Sequence, residues 1–511
     1  MDLNLGAYEY FLSVDMLKRA GVPDFVAEQI EDIKSRLRSG RDFFEPDDYY
    51  GAVDTLDKCL SFVCGLYGNI DWSLKNFLIP YSPFSSEDIY RASADKKVNP
   101  FVEYFETRMD EIKEFNPELI GISTAWTSQI IPAFTLARTL KRHLPEVHVT
   151  MGGSMISHLE DFLVYKRNLY KFVDSFMVYD GEEGIAKLAD CLGSGGSLAD
   201  VPGLVYPEKK KIKANPPSVR VSLDTLPVPD YSDLPLDKYY SPQVYLPVAA
   251  SRGCYWGKCT FCTHHLSGTN YRAESAERIF SEMNTLFEKY GCKNFYFTDD
   301  AMPPAVAKNL AVLISEGGKL YRWAAEFRAE KMMDGEYFKT LFEGGCRMAL
   351  FGMESGSNNT LGGMNKGWEV STLQEAVRHC DEAGIITWLF FMLGFPGETR
   401  MDALATFRFI LSEREHINMV AGGTFVLTRN SEIYRNPEKF GVEILQPEKE
   451  RDMPITFPYK VKEGIQKEEA EKLLNGLKAE PGIQKFLFPF VAETHTLFLE
   501  KNFFRKIHEI R

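Results

Sequence analysis

The sequence predicts an α/β protein in which two parallel-sheet units follow one another, flanked by helical regions at both ends. Three observations predict it. Strand–helix alternation starts near residue 115 and gives three apolar strand candidates before residue 180. Seven prolines then crowd residues 207–245 and mark a linker. Alternation resumes and gives six more strand candidates, which end in polar residues or glycine, as the strands of a β/α barrel do.

The bulk numbers set the bounds. A chain of 511 residues is too long for one core and suggests about three domains. Hydrophobic residues make up 44% and charged residues 26%, which is ordinary globular composition. The net charge of −13 disfavours nucleic acid, because phosphate binding needs basic surface. No run of 18 apolar residues occurs, so no membrane span is expected. The start, Met1-Asp2-Leu3-Asn4-Leu5-Gly6, lacks the pattern of a signal peptide. Nine cysteines, three of them clustered, suit a reducing cytoplasm better than a disulfide framework.

Residues 1–100 read as mostly helical, with apolar residues at helical spacing from Asp24 to Ile33 after Pro23. Residues 101–206 read as a doubly wound parallel sheet. Leu119-Ile120-Gly121-Ile122-Ser123 is its first strand. A helical stripe follows (Ala133, Phe134, Ala137, Leu140, Leu144) and stops at Pro145. Further strands are expected over 147–153 and 172–178. In such sheets ligands sit beyond the strand C-termini, so Ser123, Thr124, Gly152, Gly153, Ser154, Asp180, Gly181 and Glu182 should line one edge. Small residues there let a flat ligand approach the backbone. No G-x-G-x-x-G follows the first strand, which disfavours a dinucleotide.

Residues 207–245 form the linker, with Lys209-Lys210-Lys211 as a hairpin turn. Residues 246–430 form the barrel, with strands expected over 245–250, 295–300, 323–329, 348–353, 386–393 and 419–427. An amphipathic helix over 275–290 is capped by Gly291. Residues 431–511 read as helical and irregular.

The chemistry centres on Cys254-Tyr255-Trp256-Gly257-Lys258-Cys259-Thr260-Phe261-Cys262, a C-x4-C-x2-C run just after the first barrel strand. Structural zinc wants four closed ligands. An iron–sulfur cluster on three cysteines keeps one iron open, and local spacing of this kind suits it. Zinc completed by His264 or His265, or three structural thiols, are the alternatives.

These residues, with Phe297-Thr298-Asp299-Asp300, Glu354-Ser355-Gly356-Ser357 and Gly394-Phe395-Pro396-Gly397-Glu398, resemble a radical S-adenosylmethionine (SAM) enzyme. The preceding sheet, with Gly121-Ile122-Ser123, Gly152-Gly153 and Asp180-Gly181-Glu182-Glu183, is similar to the Rossmann-like cobalamin-binding domain that often precedes such a barrel. The linker's Leu226-Pro227-Val228-Pro229-Asp230-Tyr231 resembles the same class. The likeness covers residues 100–430 and implies a partial (β/α)6 barrel. Two departures stand out. The commonest spacing in the class is C-x3-C-x2-C, one residue shorter. The D-x-H-x-x-G motif is absent, and His148 and His158 lie out of that context, so the resemblance implies base-off cobalamin with no histidine ligand.

The resemblance also implies roles. Cys254, Cys259 and Cys262 hold a 4Fe–4S cluster whose open iron binds SAM. Tyr255 and Trp256 shield it, and Phe261 packs near the adenine. Asp299 and Asp300 contact the SAM ammonium or a substrate, or else cap a helix. Glu326 and Arg328 point to the same side, with Arg328 a carboxylate anchor or the ion-pair partner of Glu326. Glu354 and Ser355 contact the ribose, and Gly394 lets the backbone close on the adenine. His264 and His265 face the reaction chamber. The activity implied is methyl transfer to an unactivated carbon of a natural product, lipid or ribosomal peptide. Flavodoxin or ferredoxin would donate electrons, and no nucleic acid takes part. A non-methylating rearrangement, cyclisation or oxidation and a zinc-binding scaffold are the rival readings.

Overall fold

The computed structural model describes residues 1–498 apart from 41–42, 219–221, 264–270, 485 and 488–491. His264 and His265 therefore lie outside the described residues.

The first hundred residues are mainly helical. Leu3–Phe11, Val14–Arg19, Ile30–Arg38 and Pro46–Cys64 bury Phe11, Leu37, Leu56 and Leu60. The first two helices are capped by Asp2 and Ser13, whose side chains accept from free N-terminal amides. Asp71–Trp72 and Phe77–Leu78 add a small antiparallel pair.

The next sheet has five strands. Leu119–Ser123, His148–Gly152 and Ser175–Met177 are parallel and lie side by side in chain order. Leu204–Glu208 and Lys211–Ala214 then add an antiparallel hairpin. Double winding is thus absent: strand order never reverses, and the sheet is mixed. The reason is a hairpin. Lys209 takes the left-handed conformation (φ 52°) and closes the hairpin at the lysine run; Leu204–Glu208 pairs with the Ser175–Met177 edge, and Lys211–Ala214 pairs in turn with Leu204–Glu208. Regular pairing so extends to residue 214, inside the proline-rich stretch. Beyond it, among the described residues, come only the short 3-10 turns Leu223–Thr225 and Leu236–Lys238 before the next strand.

The second sheet has six parallel strands: Tyr245–Val248, Asn294–Phe297, Arg322–Phe327, Cys346–Glu354, Ile386–Leu393 and Met419–Thr424, neighbours in chain order. Among the described residues the connections carry the helices Ala276–Tyr290, Pro304–Glu316, Gly335–Glu343, Val370–Glu382 and Arg400–Ser412, with the shorter Asn358–Gly363 ahead of Val370–Glu382. Strand side chains alternate between two cores. Ala325, Ala349 and Phe351 pack with the connecting helices. Ala324, Met348, Leu350, Ile386 and Trp388 instead share a core with Phe43, Tyr49, Leu497 and Phe498.

That second core closes a six-stranded barrel that is open by itself. A fully buried Leu, Met or Phe contributes ~1.5–3 kcal/mol, so this plug is a large part of the barrel's stability. Tyr49 Oη and His495 Nδ1 meet at 2.9 Å within it. The last strand's edge is covered too: the Val420 amide donates to the Phe486 carbonyl at 2.7 Å, in a parallel bridge to Leu487. The C-terminal region also holds two small antiparallel pairs, Leu427–Thr428 with Thr456–Phe457 and Val442–Ile444 with Tyr459–Val461, before the helix Lys467–Lys478. Among the described residues no helix is long and apolar enough to cross a membrane.

Candidate functional site

The cysteine run leaves the Tyr245–Val248 strand and is gripped by the loop 363–367. The Thr260 amide donates to the Met364 carbonyl at 3.0 Å, and its hydroxyl to the Gly363 carbonyl at 3.1 Å. Asn365 Nδ2 donates to the Lys258 carbonyl at 2.9 Å. The result is a cavity of about 380 Å³ lined by Cys254, Cys259 and Cys262 together with Phe261, Glu326, Arg328, Glu354 and Lys366. Among the described residues no three Cys, His, Asp or Glu side chains come close enough to hold one metal ion. The thiols share a chamber without converging on a point.

Glu354 ends its strand at a register shift, in the left-handed region (φ 60°). Such a non-glycine conformation costs ~1–3 kcal/mol and clusters at functional sites. Its carboxylate meets Lys366 Nζ at 3.1 Å. Arg328 is 7% exposed. Its partner carboxylate is Glu330 rather than Glu326, because the two residues beyond the strand turn Glu330 back onto the guanidinium. Arg328 also donates to the Lys366 carbonyl and lies 4.0 Å over the Trp256 ring. Its buried Nε has no hydrogen-bond partner among the described residues.

Three expected site residues are placed elsewhere. Asp299 is buried and lines neither cavity. It accepts from the Ala250 amide at 2.9 Å and from the Ser251 hydroxyl at 2.5 Å, and burial pushes its pKa up to about 6. The next residue, Asp300, lines both cavities. Ser355 is fully buried, with its hydroxyl 3.4 Å from that of Thr406 and accepting from the Ser357 amide at 3.2 Å. Gly394 gives its amide to Glu398 Oε2 at 2.5 Å and lines neither cavity, while Met392 and Phe425 take that wall.

A larger cavity of about 850 Å³ lies where the C-terminal ends of the two sheets face each other. Gly153, Ser154, Gly181 and Glu182 line it from one side, Ala249, Ser251, Arg252 and Thr298 from the other. Thr263, Asp300 and Thr428 line both cavities, so the two chambers adjoin. Arg252 bridges the sheets, 2.8 Å from Asp180 and paired with Glu182; Arg272 also pairs with Asp180. The Arg252 hydrogen bond holds the Glu182 carboxyl below its usual range.

Ser123, Thr124 and Gly152 line neither cavity. Ser123 is exposed on an edge strand, and Thr124 is turned inward at 0% exposure. The buried Thr124 hydroxyl has no partner among the described residues. Beside it, Gly153 is left-handed (φ 100°), and a Cβ there would sit 2.5 Å from the Thr124 carbonyl oxygen. This edge is a tight backbone cradle with an orphaned hydroxyl behind it. Such a cradle fits a large ligand with polar side groups. The three separated thiols likewise fit a multi-iron cluster, each thiol taking one corner.

Sequence reasoning missed Lys366, Glu330, Trp126 and Tyr179. Lys366 and Glu330 lie outside any quoted motif, and only packing brings them in. Trp126 and Tyr179 carried a signal, since each follows a strand end closely, and both line the larger cavity. Trp126 is 71% exposed, although Gln129 Oε1 accepts its amide at 3.0 Å. His158 also lines that cavity, whereas His148 sits 2.8 Å from the Ser175 hydroxyl and lines neither.

Residues 248–410 match the Radical SAM superfamily. The chain is 32% identical over 303 residues to an uncharacterized methyltransferase of Pyrococcus horikoshii, covering 58% of this chain and 65% of that one. It resembles the radical SAM methyltransferase TsrM of Kitasatospora setae, solved with cobalamin and a [4Fe-4S] cluster (TM-score 0.63, 17% identity, 80% of this chain and 91% of that one). It also resembles the cobalamin-dependent SAM radical enzyme OxsB, solved with aqua-cobalamin and SAM (TM-score 0.59, 17% identity, 73% of this chain and 59% of that one). The alignments span between about half and two thirds of the length of the curated relatives. The shared feature is the fold: a Rossmann-like sheet ahead of a partial β/α barrel.

Proposed function

We propose that the chain is a cobalamin-dependent radical SAM methyltransferase acting on an unactivated carbon of a small molecule or peptide. One observation carries this reading: the thiol-lined chamber opens onto the larger cavity at Thr263, Asp300 and Thr428. A radical generated in one chamber and a methyl group delivered from the other need one shared boundary.

When bound, a 4Fe–4S cluster with SAM supplies a 5′-deoxyadenosyl radical, and cobalamin supplies the methyl group. The protein's part is position and exclusion of water. Cys254, Cys259 and Cys262 hold the cluster. Arg328 offers its free Nε–H to a carboxylate, and Glu354 with Lys366 presents one acceptor and one ammonium to the polar end of SAM. Phe261, Met392 and Phe425 form the apolar wall against the adenine. Gly153, Ser154, Gly181 and Glu182 cradle the corrin. Asp300 stands at the boundary, in reach of SAM or substrate. Base-off cobalamin is the finer reading, supported by the missing D-x-H-x-x-G motif and by His148 lining neither cavity; His158 lines the larger cavity and is the histidine that this reading leaves unligated. A flavodoxin- or ferredoxin-type donor and a cytoplasmic site follow from this chemistry. The chain divides at about residues 100, 245 and 430, and the boundary expected at 206 moves to about 215, because 206 lies inside the strand Leu204–Glu208.

The test is anaerobic reconstitution with iron, sulfide and hydroxocobalamin, then assay of metal, sulfide, corrin and products. About four irons and one corrin per chain, with S-adenosylhomocysteine formed on turnover, are expected. Zinc without sulfide refutes the reading. Deoxyadenosine without S-adenosylhomocysteine moves it to a non-methylating reaction.

A further inference from the structure

The gap between Cys254 and Cys259 carries Trp256, and the surroundings of that ring are built. Its Nε1–H donates to the Asn365 carbonyl at 2.9 Å. The Arg328 guanidinium lies 4.0 Å from the ring centroid. A Cβ at Gly367 would collide with the ring and come 2.9 Å from Arg328 Nη2, so this left-handed glycine (φ 74°) is the slot's floor. Neighbouring Tyr255 ties the same loop to Glu330 at 3.2 Å, and Glu330 is the ion-pair partner of Arg328.

Arg328 is thereby fixed on three sides, by the indole face, the Glu330 carboxylate and the Lys366 carbonyl. A guanidinium stacked on an indole is held in one plane. Both Nη atoms have a partner, whereas the buried Nε–H is left without one among the described residues, on a residue that lines the thiol chamber. Leaving a buried donor unmet is unfavourable. Evolution of the slot around an orphan donor makes sense if a ligand acceptor completes it.

We propose that Trp256 is a positioning residue. It locks Arg328 flat so that Nε–H receives the carboxylate of an amino-acid-bearing cosubstrate in the thiol chamber. The longer cysteine spacing supplies the residue that builds this carboxylate subsite. The inference rests on the reading that SAM binds there.

The experiment uses the full chain, reconstituted anaerobically, with SAM and decarboxylated SAM as probes in equilibrium binding. Trp256→Leu is expected to keep its iron and sulfide, and to lose at least tenfold in SAM affinity. Its affinity for decarboxylated SAM, which lacks the group Arg328 would hold, changes less than threefold. Trp256→Phe, which keeps a stacking face, recovers most of the loss. Gly367→Ala, which intrudes on the slot by pressing on the indole from the opposite loop and changes no residue of the cysteine run, should reproduce the Trp256→Leu pattern. Unchanged SAM affinity in both Trp256→Leu and Gly367→Ala, or equal losses for the two probes, overturns the proposal. A wild-type protein that takes up no iron and sulfide overturns the parent reading instead, and this one with it.

Discussion

The Glu354 carboxylate lies 3.1 Å from the Lys366 ammonium, with side-chain exposures of only 15% and 8%. The pair stands on the wall of the thiol chamber, and one member has a strained backbone. Breaking a buried pair leaves one uncompensated charge. Lys366→Met should therefore destabilise the protein by about 3 kcal/mol, and the double variant Glu354→Gln/Lys366→Met should recover much of that loss. Urea unfolding of Lys366→Met, Glu354→Gln and the double variant checks it. Additive losses would show that the pair is not coupled.

Cys259→Ala removes one of the three thiols. The expected outcome is loss of deoxyadenosine formation with hydroxocobalamin binding retained, since Cys259 lines only the smaller chamber and Gly153, Ser154, Gly181 and Glu182 line only the larger one. Quantifying deoxyadenosine by chromatography, beside corrin bound per chain, decides it. Wild-type deoxyadenosine output from this variant would remove the cluster from these cysteines.

Trp126 presents an exposed indole to the larger cavity on a tied backbone. Burying part of an aromatic face against a ligand is worth ~1–2 kcal/mol. Trp126→Ala should weaken hydroxocobalamin binding roughly tenfold and leave thermal stability nearly unchanged. A spectrophotometric titration that gives wild-type affinity would exclude contact.

Glu398 is 1% exposed, and burial pushes its pKa up to about 7. An unfolded glutamate titrates near 4.5. Between those values the folded state holds the proton and the unfolded state does not, so this group's contribution to stability falls as pH rises from ~4.5 to ~7. The span corresponds to about 3 kcal/mol. Glu398→Gln keeps an acceptor for the Gly394 amide and cannot ionise. Relative to wild type it should gain up to about 3 kcal/mol between pH 5 and pH 7.5, read from denaturant unfolding at both pH values. An unchanged difference would mean that Glu398 does not titrate in this window.

Strand positions were legible because apolar runs and their glycine or polar ends are local signals. Ile386–Leu393 falls where periodicity put it. Which member of a local motif faces the chamber was not legible. Asp299 and Asp300 are adjacent, and alternation alone cannot say which carboxylate serves the backbone and which the cavity. Ser355 and Gly394 failed for the same reason: each is used up by a neighbour, Thr406 or Glu398, that lies some distance along the chain or across a turn. The hairpin turn at Lys209 was legible, but the antiparallel addition of Leu204–Glu208 to the Ser175–Met177 edge is a tertiary pairing that no local pattern encodes. Lys366 enters through a loop that grips the cysteine run, a contact no motif announces.

The plug that fills the barrel has a consequence for the order of events in biosynthesis. His495 and its neighbours are synthesised 233 residues after Cys262. At ~5–20 residues per second, that is about 12–47 s of translation. For that interval the Tyr49 pocket lacks its final partner, and the thiol strand-end sits on a barrel whose interior is unsealed. The barrel interior is therefore sealed only once Leu497 and Phe498, hundreds of residues from the cysteines, have joined Phe43 and Tyr49.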